Sequence, residues 1–91
     1  MPAEPYTIEW TAPSKRALGR LPEKVAAVVV EFIYRASAEQ PHRVGRRLRF
    51  ELEGLHSAHR GDFRVVYRID DRGRKVYIEV IGHRADVYRR P

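Results

Sequence analysis

Cysteine is absent from the 91 residues. No disulfide can staple this chain, and no Cys-type zinc site can form. No apolar run approaches the roughly 18 residues of a membrane span. The start, Met1-Pro2-Ala3-Glu4-Pro5, has neither the basic nor the apolar region of a secretory signal. The expectation is a cytoplasmic protein with no membrane contact. No internal repeat, low-complexity tract, phosphate-cradling glycine loop or serine nucleophile elbow is visible. The histidines His42, His56, His59 and His83 never show the i, i+4 helical pairing of a zinc protease. No metal or other cofactor is expected.

What the chain does have is arginine. The net charge is +6, and its distribution matters more than its size. Residues 1–40 hold five basic and five acidic side chains, which cancel. Residues 41–91 hold thirteen basic and seven acidic ones, and twelve of the thirteen are arginine. Guanidinium is planar, permanently charged and shaped to grip phosphate. A basic half on a small domain points to nucleic acid or an acidic protein partner. With 43% hydrophobic residues the chain should fold, as one domain over residues 1–91.

Tyr6, Ile8 and Trp10 alternate with polar residues, which predicts a first strand. Thr11 or Ser14 can cap a short helix over about Ala12–Gly19, with Pro13 in its first turn. Leu21-Pro22 breaks it, because the residue before proline disfavours helix. A second helix opens at Pro22-Glu23 and carries Val25, Val28, Val29, Phe32, Ile33 and Ala36 on one stripe. Gln40-Pro41-His42 ends the helical region, and a basic loop with Arg43, Arg46 and Arg47 follows. Leu48, Phe50 and Leu52 alternate with Arg47, Arg49, Glu51 and Glu53 as a strand. Residues 54–61 read as a polar, basic connector.

The central stretch is Gly61-Asp62-Phe63-Arg64-Val65-Val66-Tyr67-Arg68-Ile69. A strand's period of two sends Phe63, Val65, Tyr67 and Ile69 to a core and Arg64 to the opposite face. Asp70-Asp71-Arg72-Gly73 reads as a hairpin turn. Lys75 to Ile81 returns, with Val76, Ile78 and Val80 on one side and Tyr77, Glu79 and Ile81 on the other. Closing the turn on Asp70 and Gly73 pairs Phe63, Val65 and Tyr67 with Val80, Ile78 and Val76. Arg64 then faces Glu79, a cross-strand ion pair. The same count puts Arg84 beside His59 and next to Arg60, with Tyr88 within reach. Strand, two helices, then strands joined by short loops is an α+β order with the helices covering one sheet face.

Such a cationic cleft suits RNA cleavage. A ribose 2′-hydroxyl attacks the adjacent phosphate, and preorganised guanidinium groups stabilise the charge that gathers in the transition state. A base must take the 2′ proton, and histidine titrates in the right range.

At these residues the sequence resembles the RelE/ParE superfamily of type II toxins. The resemblance rests on Leu21-Pro22, Leu52-Glu53-Gly54-Leu55, residues 60–67 from Arg60 to Tyr67, and residues 81–88 from Ile81 to Tyr88. It covers nearly the whole chain. It implies a microbial-ribonuclease-like α+β domain, two N-terminal helices on one face of a small antiparallel sheet. For the RelE-like branch it implies an endoribonuclease that cuts mRNA in the A site of the 70S ribosome. It also implies a RelB-like antitoxin partner, with operator DNA met only through the antitoxin complex. Arg64 matches the strand arginine that stabilises the phosphate. Arg84 matches a second arginine, acid or phosphate ligand. Tyr88 matches a tyrosine that stacks on a base or helps activate the 2′-hydroxyl. Where the best-known RelE-like toxins carry lysines, this chain has His56, His59 and Arg60. His56 joins the catalytic set as candidate base, and Arg46, Arg47, Arg49, His59, Arg60 and His83 are the expected RNA contacts. The alternative is the ParE branch, which poisons DNA gyrase without cutting RNA.

Overall fold

The computed structural model describes residues 5–37, 39–47 and 54–83. Strand β1 (Thr7–Trp10) leads directly into α1 (Ala12–Arg20). Thr11 is the cap: its Oγ1 accepts from the Ser14 backbone N–H at 3.3 Å and donates to the Ile78 carbonyl at 2.7 Å. One hydroxyl thus stops the strand, starts the helix and ties both to the sheet. The chain turns out of helix at Leu21, which is extended at φ −78 and ψ 148 before Pro22. Helix α2 (Glu23–Phe32) follows and runs on as a π-helical turn, Ile33–Ser37. A further short helix, α3 (Pro41–Val44), stands where the sequence suggested a loop. Proline in its first turn is the local reason.

Four more strands complete a five-stranded sheet among the described residues: β2 (Arg46–Arg47), β3 (Leu55–Arg60), β4 (Phe63–Asp70) and β5 (Lys75–His83). Their order is β1-β5-β4-β3-β2. The helices carry the chain from one edge of the sheet to the other. It then returns as an antiparallel meander until β5 lies parallel to β1. The class is α+β with helices on one face, and the parallel β1–β5 pair is the departure from an all-antiparallel sheet. Residues 55–60, expected as a connector, are strand β3. The two-residue loop Gly61–Asp62 explains it, since a tight hairpin needs a strand on each side. Gly61 supplies φ 62, which costs glycine no Cβ clash. Of the strand expected around Leu48, Phe50 and Leu52, these residues lie outside the described ones.

Val29 and Ile33 pack on Ala58, Val65, Tyr67, Val76, Ile78 and Ile81 to form the core. Burying a valine or isoleucine contributes about 1.5–3 kcal/mol. An exposed i, i+4 pair such as Glu31–Arg35, at 3.3 Å, contributes about 0.3–0.5 kcal/mol. Packing therefore holds α2 in place. Val28, on the edge of the expected stripe, remains 45% exposed.

The β4–β5 register differs from the expectation in two ways. The turn holds four residues rather than two, so Asp70 pairs with Lys75 and Tyr67 with Ile78. Arg74 closes it at φ 55, and the Asp70 carboxylate accepts from the Gly73 N–H at 3.0 Å. Beyond Tyr67 the register shifts, leaving Glu79 as the extra residue of a bulge. The bulge inverts the alternation of β5. Ile81 turns into the core at 4% exposed, while Val80 turns out at 38%. Arg64 accordingly pairs with Gly82 and not with Glu79. Glu79 meets Arg68 instead, at 3.5 Å.

Candidate functional site

Alternation along β3 and β4 sorts the candidate residues by face. Ala58 and Val65 are paired and buried under the helices, so their neighbours His59 and Arg64 share the face away from the helices. His59 and Arg64 are direct cross-strand partners, which puts their Cβ atoms about 4.5–5.5 Å apart. Ser57 lies on that face too, paired with Arg46 of β2 and Val66 of β4.

These residues form one wall and the floor of a cavity of ≈ 620 Å³. The other wall is Arg43, Val44, Gly45 and Arg46, the end of α3 and the start of β2. Among the described residues, three arginines line it and no carboxylate does. Its chemistry is that of an anion site, with one imidazole, His59, and one hydroxyl, Ser57, among the guanidinium groups.

The arginine wall is anchored from beneath. Tyr67, 0% exposed, donates its hydroxyl to the Pro41 carbonyl at 2.5 Å. Burial pushes this phenol up to about 12, against hydrogen bonding from the Gly45 backbone, so it remains a donor. A Cβ at Gly45 would lie 2.9 Å from Tyr67 Cζ, so only glycine lets the chain pass this close.

His56 is not in the cavity. It pairs with Tyr67, shares its helix-side face, and stacks on its ring at 5.7 Å with an interplanar angle of 14°. His42 of α3 meets it edge-on at 5.5 Å, and the His42 Nε2 is held by Asp71 Oδ1 at 2.7 Å. The Nδ1 of His56 is buried without a hydrogen-bond partner. Burial lowers its pKa, with His42 and Arg47 adding to the effect and Asp71 opposing it. The ring is thus a neutral packing element. The polar pattern of residues 54–61 does not separate it from His59, because only a strand gives the two histidines opposite faces.

Of the expected RNA contacts, Arg46 and His59 join Arg64 in the cavity. Arg47 pairs with His56, on the other face. Arg60 lies on the helix side, beside Lys24, Val25 and Phe63. His83 is exposed and edge-on to Phe63 at 5.9 Å. Arg49, Arg84 and Tyr88 lie outside the described residues. Arg43 and Ser57 were not among the candidates. Pro41 as a helix start would have pointed to Arg43, and the Gly61–Asp62 turn to a strand carrying Ser57 and His59 together.

Residues 8–88 match the family described as the ParE toxin of type II toxin–antitoxin system, parDE. Toxin RelE of Mycobacterium tuberculosis is 53% identical over 85 residues, 93% of this chain and 88% of its own length. Toxin RelG of the same organism is 48% identical over 86 residues, 94% of this chain and 99% of its own. In the crystal structure of the toxin–antitoxin complex RelBE2 from M. tuberculosis, one chain superposes with a TM-score of 0.84. It is 44% identical, and the match covers 87% of this chain and 98% of that one. The match over residues 8–88, with relatives near half identity along almost the whole length, establishes that the chain belongs to the ParE toxin family of type II toxin–antitoxin systems.

Proposed function

We propose that this toxin is a ribosome-dependent endoribonuclease that cuts mRNA in the ribosomal A site and so inhibits translation in the cytoplasm. The observation that carries the reading is the cavity with Arg43, Arg46 and Arg64 on its walls and, among the described residues, no acidic one. The names RelE and RelG of its relatives support it. A phosphodiester in this cavity would meet guanidinium from two sides. Arg64, on the rigid central strand, is the group best placed to stabilise the charge that builds on the phosphoryl oxygens as the 2′-hydroxyl attacks. Arg84 and Tyr88 complete the proposed set by their match to the family motif. Arg43 and Arg46 hold the flanking backbone.

The partner in this reading is a RelB-like antitoxin, as in the RelBE2 complex of the relative. An acidic antitoxin segment over the arginine cavity would block RNA by charge and by bulk, and operator DNA would be met only through that complex. Copurification with the protein of a neighbouring small reading frame tests this, and a toxin that never retains such a partner would contradict it.

The decisive experiment maps mRNA ends in cells expressing the toxin and in purified translation reactions. Cleavage within codons in the presence of ribosomes, and none without them, is the expected result. Arg64→Ala should lower the rate by about 10²–10³ and restore growth. The family's own description as ParE favours a second reading, a gyrase inhibitor. Intact mRNA together with trapped gyrase–DNA complexes would establish that reading in place of the first.

A further inference from the structure

We propose that His59 is the general base of the reaction, the group that takes the proton from the attacking ribose 2′-hydroxyl. The inference rests on the ribonuclease reading above and deepens it.

The cavity needs a proton acceptor, and its lining offers few. Arginine stays protonated above pH 12 and cannot accept a proton. Ser57 has a hydroxyl that is not basic near neutrality. Among the described residues of the lining, His59 is the one side chain whose type titrates in the neutral range. It is exposed, so its ring is open to a substrate entering from solvent. It is also the direct cross-strand partner of Arg64 on the same sheet face. Neighbouring side chains of this kind can hold a phosphate and reach the adjacent 2′-hydroxyl together. A phosphate held by Arg64 would bring its neighbouring 2′-oxygen within reach of the His59 ring on the adjacent strand.

The other imidazoles are elsewhere. His56 is buried against Tyr67 on the helix side, and His42 is engaged by Asp71. His83 pairs with Phe63 at the sheet end, two residues beyond Ile81 of the core.

The step balances within the substrate. The His59 lone pair takes the 2′-hydroxyl proton as the O2′–P bond forms and the P–O5′ bond breaks. The products are a 2′,3′-cyclic phosphate and a fragment with a 5′-hydroxyl. The leaving 5′-oxygen takes one proton, and the imidazolium returns one to solvent, so no net proton or co-reactant is consumed.

The test is single-turnover cleavage of a defined mRNA on programmed 70S ribosomes, measured across pH with wild type, His59→Gln and His59→Ala. Wild type should show a rate that rises about tenfold per pH unit on the acid side and levels off in the neutral range. His59→Gln keeps a polar side chain of similar reach but no basic nitrogen. It should lose about 10²–10³ in rate and lose the rising limb. Its half-saturating toxin concentration should stay within about threefold of wild type, because the arginines still bind. Added imidazole should restore part of the activity of His59→Ala and none to His59→Gln, whose side chain fills the space. Far-ultraviolet circular dichroism of the variants should match wild type, since the side chain is outside the core. A His59→Gln toxin that retains wild-type rate, or a reduced rate with the same rising limb, overturns the assignment while leaving the ribonuclease reading intact. A wild-type protein that cuts no RNA under these conditions overturns both.

Discussion

The hydroxyl of Tyr67 donates to the carbonyl of Pro41 at 2.5 Å, from the buried side of the sheet to the first residue of α3. The bond joins a core strand to the segment that carries Arg43 and Arg46 into the cavity. Tyr67→Phe keeps the ring and removes only the hydroxyl, leaving a carbonyl without its donor. We expect a loss of about 1–2 kcal/mol in urea unfolding. RNA affinity should weaken while the rate at saturating toxin stays close to wild type, because Arg64 and His59 stand on β4 and β3 and not on α3. An unchanged affinity would mean that the loop holds its place without Tyr67.

Gly45 tests the same anchor from the other side. In Gly45→Ala the new methyl group meets the Tyr67 ring with Cζ 2.9 Å away, so the ring, which is buried, or the backbone must shift. Overpacking of this kind costs about 1–3 kcal/mol. Thermal unfolding should fall by several degrees, since about 1 kcal/mol corresponds to 4–8 °C in a domain of this size. Gly45→Ala combined with Tyr67→Phe should be less damaging than the sum of the two if the clash centres on the hydroxyl.

His56 should make folding sensitive to mild acid. Its pKa lies below the ordinary 6.5 in the folded chain because burial disfavours the cation, and His42 and Arg47 add to this while Asp71 opposes it. The unfolded chain therefore takes up the proton first as pH falls. Stability is full above the ordinary 6.5, declines as pH drops from there toward the lowered folded value, and levels off below it. Urea midpoints measured from about pH 8 to about pH 5 should show this loss, and His56→Phe should abolish it. Asp71 acts in a lower window. Its carboxyl is held below 3.8 chiefly by the Tyr6 hydroxyl and by His42, so its contribution is present above 3.8 and is lost as pH falls further.

The cavity arginines should appear in the salt dependence of RNA binding. Each phosphate contact to single-stranded RNA contributes about 0.7 to the slope of log affinity against log salt. Arg43→Ala and Arg46→Ala should each lower the slope by up to that amount. Arg68→Ala is the contrast. Arg68 lies on the face away from the helices but outside the cavity lining, with its guanidinium 4.3 Å from the Tyr77 ring and paired with Glu79. It should leave the slope nearly unchanged. Equal effects at all three positions would argue for a diffuse basic surface rather than a cavity.

Much of this protein is legible in its residues one stretch at a time. The apolar rows Phe63–Val65–Tyr67–Ile69 and Val76–Ile78, the stripe of α2, the break at Leu21-Pro22 and a helix cap at Thr11 or Ser14 depend on neighbours within a turn or a pleat. Local sterics and period decide them. The arginine-rich second half is likewise a matter of composition, and Arg64 on the face opposite the core follows from the parity of its own strand.

Tertiary structure decided what those elements meet. A turn two residues wider than expected moved the β4–β5 register by an even number, so the apolar rows still matched and the error was invisible in the pattern. The bulge at Glu79 then changed the parity of β5, exchanging Val80 for Ile81 in the core and Glu79 for Gly82 opposite Arg64. The sides taken by His56 and His59 required β3 to be a strand at all, and the shape of the cavity required Tyr67 to hold α3. Each of these depends on residues distant in sequence competing for one core, and a period of two records which face a side chain takes but not which partner lies across from it.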